Sequence, residues 1–148
     1  MIRRPPIYTQ GVSSAASDVY KRQADFVAWD WQKGTATRLA SDATIPVSLG
    51  REGWTFHVLA PVLGSGLAVF GDVTKFVTAG DARIEVAETS TGVRLVVKGP
   101  GETVTVTGWA EVAPTSPDAI VAHDTSTGVW TAVVDVPSRG WATLLVNG

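Results

Sequence analysis

Two aspartates near the middle of the chain could act as a carboxylate pair. Asp72 stands in "FGDVTKF" and Asp81 in "TAGDARI". Glycoside hydrolysis uses one carboxyl group as the acid and a second as the nucleophile or base, and this is the chemistry that such a pair would support. Each aspartate also falls where a turn between strands favours Asp. We prefer the turn interpretation, and no catalytic residue is predicted in this chain.

The two histidines are weak candidates for catalysis or metal binding. His57 lies in "GWTFHVLAPV", where alternation places it opposite Trp54 and Phe56. A single histidine on a strand is more often packed or exposed than a ligand. His123 and Asp124 stand beside a turn in "AHDTSTG", which predicts a solvated loop. Because the two histidines have no metal-binding spacing, no metal site is predicted.

The glycine-rich segments of the chain do not predict a phosphate site. Neither "GSG" nor "GPG" is followed by Lys-Ser/Thr or by a helical pattern, so no cofactor is predicted. The chain contains no cysteine, which excludes disulfides and thiolate chemistry. This leaves the compartment open, with the cytoplasm favoured. No apolar run approaches the roughly 18 residues of a membrane span, so no membrane partner is predicted.

Six tryptophans in a short chain raise the possibility of sugar binding, because flat aromatic rings stack on the apolar faces of sugars. Trp29 and Trp31 share one face of a predicted strand with Val27, and Asp30 lies opposite. This pair could form a stacking platform for an oligosaccharide, or it could pack against a neighbouring domain, which we prefer. In the second case that face should be an exposed apolar patch. The others each open or close a strand and could seal the sandwich ends: Trp54, Trp109, Trp130 and Trp141.

Short runs of alternating apolar and polar residues dominate the chain after residue 24. Examples are "ARIEVAE", "GVRLVVKG", "TVTVTGW", "VWTAVVDV" and "WATLLVNG", separated by turn signals such as "STG" and "SRG". Spacing of about 8–12 residues predicts an all-β fold, an antiparallel β-sandwich. "SDATIPVSL" and "PTSPDA" are predicted loops, and Pro114 and Pro117 place the second loop between two groups of strands. The predicted core positions are Val58, Leu67, Val69, Ile84, Val86, Leu95, Val97, Val104, Val106, Val133 and Leu145.

Residues 1–23 are unlike the rest of the chain. The stretch Ser13–Gln23, "SSAASDVYKRQ", resembles the translation of a transposon-type sequencing adapter residue for residue, and "MIRRPP" resembles that of the primer joined to it. The stretch lacks the apolar core of a secretory signal. We therefore expect 1–23 to be a disordered, non-native leader, and 24–148 to be a β-sandwich domain from the C-terminal part of a larger protein.

The charge of the chain argues against nucleic-acid binding. The formal net charge is −2, and Arg3, Arg4, Lys21 and Arg22 all lie in the leader, so the remaining domain is more acidic. A domain without clusters of Lys and Arg lacks the electrostatic surface on which nucleic-acid binding depends. Nucleic acid is therefore not predicted as a partner.

The first half of the domain resembles a known family. "FVAWDWQKGTATRL" is similar to the first hairpin of the C-terminal β-domain in the raffinose synthase and seed-imbibition branch of family 36 glycoside hydrolases. "WTFHVLAPVLGSGLAVFGDVTKFVTAGDARIE" is similar to the next block of that domain: an aromatic strand ending in Pro, a small-residue strand, a Gly/Asp turn and a further strand. The resemblance covers about Phe26 to Glu85 and includes no catalytic signature.

The resemblance implies a function for the parent protein. In that family, retaining hydrolysis or transfer of α-galactosyl groups uses two aspartates on a (β/α)8 barrel that precedes the β-domain. The chain is therefore expected to be the C-terminal accessory domain of an α-galactosidase or raffinose-synthase-like enzyme. It should be inactive alone, with the barrel as its partner. The alternatives are a carbohydrate-binding β-sandwich module, with an oligosaccharide as its partner, and a purely structural β-domain.

Overall fold

A computed structural model describes residues 25–49, 51, 53–80, 82–138 and 140–148; the predicted leader lies outside these ranges. All of the regular secondary structure in the described residues is β-strand, so the all-β prediction is confirmed. The strands are β1 (Asp25–Asp30), β2 (Thr35–Ala40), β3 (His57–Pro61), β4 (Leu67–Gly71), β5 (Ile84–Glu88), β6 (Gly92–Lys98), β7 (Thr103–Ala110), β8 (Val121–Asp124), β9 (Val129–Asp135) and β10 (Trp141–Asn147). Over the same ranges, no helix has the length and apolarity needed to cross a membrane.

The described strands form three antiparallel sheets. The first sheet has the order β2-β1-β3, the second β10-β6-β5, and the third β4-β7-β9-β8. The first hairpin is closed by Gly34, whose φ of 65° lies in the left-handed region that glycine adopts without steric cost. The β5–β6 hairpin and the β8–β9 hairpin both turn at the predicted "STG" segments.

The third sheet is the middle layer of the fold. Because side chains alternate along a strand, β4 sends Leu67 to the core shared with the second sheet and Phe70 to the core shared with the first. β7 does the same with Val106 and Trp109. The two cores therefore lie on opposite faces of β4 and β7, and the result is a sandwich with an additional sheet on one side.

Trp130 on β9 packs across Gly108 on β7, which is its direct cross-strand partner. The indole ring is fully buried in the core between the second and third sheets. A Cβ atom at position 108 would overlap both this ring and the carbonyl oxygen of Ala68. Glycine is thus required here because a large ring and a neighbouring backbone both approach the strand closely.

Six of the predicted core residues are buried, and two are partly buried against the cores. The buried positions are Leu67, Ile84, Leu95, Val97, Val104 and Val106. Val58 and Val69 are the partly buried ones. These positions confirm the strand registers of β4 to β7, because a shift of one residue would turn every side chain to the opposite face.

The core predictions are wrong at three positions. Val86 is 40% exposed because β5 is the outer strand of the second sheet, and Val86 lies beyond the packed position of Ile84. Val133 is 55% exposed, and Leu145 is only partly buried. In "AVVDV" and "TLLVN" both faces carry apolar residues, so alternation alone could not choose between them. The buried residues are those next to the predicted ones: Ala132, Val134, Leu144 and Val146.

The two predicted loops are irregular, but one of them connects different elements from those expected. Residues 41–49 contain no strand in the described part, as predicted. The segment with Pro114 and Pro117 joins β7 to β8, and both strands belong to the third sheet. It therefore does not separate two groups of strands. Thr115 forms an isolated bridge to Asn147, which holds this loop against the end of β10.

Leu95→Ala should lower the free energy of unfolding by about 2–5 kcal/mol, because Leu95 is fully buried and its loss leaves a cavity. Val133→Ala is the matched control on an exposed site and should change it by no more than about 0.5 kcal/mol. Chemical denaturation of both variants measures the difference. Equal effects would show that the assignment of faces is wrong.

Gly108→Ala should lower the free energy of unfolding by about 3 kcal/mol, because the new methyl group must displace both the Trp130 ring and backbone. Gly64→Ala is the control, since its Cβ would meet only the flexible end of Glu88, at 3.1 Å. Thermal and denaturant unfolding compare the two variants. A Gly108→Ala protein as stable as Gly64→Ala would contradict the packing described.

Candidate functional site

The outer face of the first sheet carries a set of polar side chains. On β1, Val27 and Trp29 point into the core shared with the third sheet. Alternation therefore turns Asp30 to the opposite face. Strand pairing places Asp30 beside Thr35 on β2 and His57 on β3. A carboxylate and an imidazole that are far apart in sequence are thus adjacent on one sheet face.

A pocket of 420 Å³ lies over this face. Its floor is formed by residues of β1, β2 and β3, and its walls come from residues 44–49 and from Gly53, Trp54 and Thr55. The loop that the sequence marks as irregular therefore forms one side of a cavity. This volume falls within the range of about 300–1,000 Å³ that is typical of small-molecule sites.

Asp30 has several polar partners among the described residues of the pocket. Its Oδ1 accepts the backbone N–H groups of Gln32 and Lys33, both at 3.1 Å, and its Oδ2 lies 3.0 Å from Lys33 Nζ. The backbone hydrogen bond from Lys33, followed by the contact with its ammonium group, holds the pKa of Asp30 below the ordinary value. Asp30 is therefore a carboxylate near neutral pH, held rigidly by the hairpin turn.

His57 lies against Asp30 without a direct hydrogen bond. The distance from His57 Nε2 to Asp30 Oδ2 is 3.7 Å, and His57 Nδ1 is 3.5 Å from Thr55 Oγ1. Both distances are longer than the usual range for a hydrogen bond. The side chain of His57 is 20% exposed, so its ring can be reached from the pocket. His57 is thus neither buried in the core nor fully solvated.

A partly exposed cluster of aromatic rings adjoins the pocket. Trp31 stacks on Phe76 with the ring centres 5.2 Å apart, and it lies 6.0 Å from Trp54. Phe56 contacts Phe76 edge-on at 6.0 Å. We call these four residues and the neighbouring Val77 the aromatic surface. Phe76, Val77 and Trp54 are 66%, 72% and 52% exposed, which is unusual for side chains of this type.

The prediction that Val27, Trp29 and Trp31 form an exposed face is wrong. Val27 is fully buried and Trp29 is 9% exposed, because both pack on Phe70 and the third sheet within this domain. Trp31 is partly buried, and its Nε1 donates to the carbonyl oxygen of Val73 at 2.8 Å. Trp29 is therefore available neither as a sugar platform nor as a contact for another domain.

The other four tryptophans divide into two pairs. Trp109 and Trp130 are buried, one in each core. Trp54 and Trp141 are 52% and 54% exposed, so the prediction that they seal the ends of the sandwich is wrong. The alternation expected around His57 also begins only at β3, since Trp54 and Thr55 both line the pocket. The segment before β3 is irregular, and the two-residue period does not apply to it.

Asp72 makes the contacts of a structural turn residue. Its Oδ1 accepts the N–H of Thr74 at 3.1 Å and the hydroxyl of Thr74 at 2.5 Å, and its Oδ2 accepts from Arg83 at 3.0 Å. Burial by itself raises the pKa of Asp72, but the hydrogen bonds from Thr74 and Arg83 outweigh it and hold the pKa below its ordinary value. Arg83 also bonds Glu102 at 3.0 Å. Asp81, the other candidate of the pair, lies outside the described residues.

His123 and Asp124 do not form the solvated loop that was predicted. They end strand β8, and His123 Nε2 lies 3.1 Å from the carbonyl oxygen of Ala110, to which it donates. Asp124 Oδ1 accepts the hydroxyl and the N–H of Ser126, which lowers the pKa of Asp124. Asp124 is thus a turn residue, while the pairing of β8 with β9 draws His123 partly into the fold.

Comparison with known proteins adds no assignment to this geometry. No family model matches the chain, and no curated protein matches it either. Among the residues that the structure describes, no three His, Asp or Glu side chains lie close enough together to hold a metal ion. The pocket on the first sheet and the adjoining aromatic surface are the candidate functional features.

Arg83→Met should remove the cation that stabilises the Asp72 carboxylate. A depressed folded-state pKa adds stability above the ordinary Asp pKa of about 4, and this stability is lost as the pH falls through the folded-state value. We expect the variant to lose about 2–3 kcal/mol of unfolding free energy at pH 7, less than a fully buried pair because Arg83 is partly exposed. The loss should shrink as the pH falls below about 4, since Asp72 becomes protonated first in the variant and then, at its lowered pKa, in the wild type.

Urea denaturation over this pH range measures the effect. Arg94→Met is the control, because Arg94 is exposed on β6, and it should change the unfolding free energy by no more than about 0.5 kcal/mol. A loss in Arg83→Met that stays constant from neutral to acid pH would contradict the role assigned to the Arg83 charge.

Proposed function

We propose that residues 24–148 are the C-terminal accessory β-sandwich domain of an α-galactosidase or raffinose-synthase-like glycoside hydrolase. In this proposal the catalytic aspartates belong to a (β/α)8 barrel of the same parent protein, and the domain described here packs against that barrel. The observation that carries the proposal is the aromatic surface, whose Phe76 and Val77 side chains are largely exposed.

The aromatic surface has the properties of a contact region for another protein domain. Its rings support one another, with Trp31 between Trp54 and Phe76, so they are ordered before any partner binds. Aromatic side chains are enriched where protein surfaces associate, and monomeric domains rarely leave a contiguous apolar patch of this kind uncovered. An apolar contact with the barrel would remove the exposed side chains of Phe76 and Val77 from water.

The order of elements in 25–88 also supports the proposal. The hairpin of β1 and β2 corresponds to the first block of the resemblance, and β3 ends at Pro61 as the second block requires. The small-residue strand corresponds to β4, which leads through the Asp72 turn to β5. These elements occur in the sequence order that the family resemblance implies.

The alternative functions have less support from the described contacts. A carbohydrate-binding module built on Trp29 and Trp31 lacks its first ring, because Trp29 is 9% exposed. The second ring is covered on one side by Phe76, and its N–H is already donated to Val73. A purely structural domain would give no reason for the exposure of Phe76 and Val77.

The gene segment immediately upstream of the Ala24 codon provides the first test. We expect it to encode a (β/α)8 barrel with two strands that end in aspartate, because glycoside hydrolysis requires a carboxyl pair. A linker or a signal peptide in place of the barrel would rule out the proposal.

In the full-length parent protein, Val77→Asp should weaken the packing between barrel and β-sandwich. A carboxylate buried in an apolar contact should lower the free energy of domain association by at least about 2 kcal/mol. Val112→Asp is the control, because Val112 is 73% exposed, close to the 72% of Val77, but lies outside the aromatic surface. Calorimetry should show separate unfolding of the two domains only in Val77→Asp. Identical behaviour of both variants would contradict the docking site.

A further inference from the structure

The pocket on the first sheet shares Trp54 with the aromatic surface, but its polar groups lie outside that surface and have a chemistry of their own. Its polar groups converge at one end: Asp30 Oδ2, Lys33 Nζ and His57 Nε2. Its other walls include the apolar side chains of Ala28, Leu39 and Ile45, together with the ring of Trp54. A ligand that fits must therefore be polar on one side and apolar on another.

The charges in the pocket favour a neutral ligand. Asp30 and Lys33 are the charged residues among the described lining residues, and they form an ion pair at 3.0 Å. Their charges offset each other, so neither an anion nor a cation would gain a net electrostatic attraction. Hydrogen bonds and apolar contacts then remain as the source of affinity.

The spacing of Asp30 and His57 fits a hydroxyl group. Their facing atoms are 3.7 Å apart, too far for a direct hydrogen bond, and one hydroxyl can lie within bonding distance of both. A hydroxyl is both a donor and an acceptor, so it can donate to the Asp30 carboxylate and accept from a ring N–H of His57. Lys33 Nζ supplies a further donor beside the same carboxylate.

Trp54 supplies the apolar counterpart to these polar groups. It lines the pocket and is 52% exposed, so a ligand can reach its ring from solvent. An aromatic ring packs well against a flat array of C–H groups, and such an array next to several hydroxyls is characteristic of a pyranose. The volume of 420 Å³ has room for about one or two sugar rings.

We infer that this pocket binds a neutral pyranose sugar, with a ring hydroxyl between Asp30 and His57 and the ring face against Trp54. The inference goes beyond the proposed function, since it depends on the pocket and not on a barrel. The two are separable by experiment, because Phe76 and Val77 lie outside the pocket lining and His57 lies outside the aromatic surface. Sugar binding by the full chain would hold even if no barrel exists.

The test is a titration of the full chain with methyl α-D-galactopyranoside, D-glucose and raffinose, followed by calorimetry and tryptophan fluorescence. At least one of these sugars should bind saturably in the millimolar range. Mannitol, which has hydroxyls but no ring face, should bind more weakly. Trp54→Ala and His57→Ala should each weaken binding by at least about tenfold, which corresponds to the loss of one good contact.

Trp141→Ala is the matched control, because Trp141 is 54% exposed and lies outside the pocket lining. It should leave the dissociation constant unchanged, and circular dichroism should show that all three variants are folded. Absence of saturable binding to all three sugars would overturn the inference. So would equal weakening by Trp141→Ala and Trp54→Ala, or tighter binding of D-galacturonate than of the neutral galactoside.

Discussion

The fold depends on one constraint: strands β4 and β7 of the third sheet are buried on both faces. Leu67 and Val106 contact the second sheet, while Phe70 and Trp109 contact the first. In this layer Trp130 packs across Gly108, where a side chain at position 108 would overlap ring and backbone. Because protein interiors are close-packed, position 108 cannot accept a side chain unless the ring or the neighbouring backbone moves.

The functional features follow from this arrangement, because the third sheet packs against only one face of the first sheet. Val27 and Trp29 occupy that face, so Asp30 and His57 are turned outward, where the loop of residues 44–49 forms a wall over them. The pocket therefore lies on the face of the first sheet that points away from the third sheet.

The hairpin turn between β1 and β2 connects local sequence to the chemistry of the pocket. Asp30 accepts two backbone N–H groups of its own turn, which orients the carboxylate before any ligand is bound. Asp72 and Asp124 make similar local hydrogen bonds in other turns. Of these three aspartates, Asp30 is the one that faces a histidine ring, that of His57 on the neighbouring strand. The same local turn motif therefore places its carboxylate beside a second polar group.

Much of the fold could be predicted from alternation and turn residues, because both act over short distances. The strands of the second half, the irregular loop before β3 and six of the core residues follow from these patterns. Where both faces of a strand are apolar, as around Val133, alternation does not indicate which face is inside. The choice then depends on which sheet lies opposite.

The sequence by itself determined the all-β class, the turns and the local hydrogen bonds of the turn aspartates, since each depends on residues close together in the chain. Tertiary structure alone decided that Trp29 is buried, that Trp54 is exposed, and that Asp30 meets His57. These outcomes depend on the pairing of β1 with β3 and on the third sheet beneath them. Contacts between residues distant in sequence are set by how the sheets stack, which the local pattern does not encode.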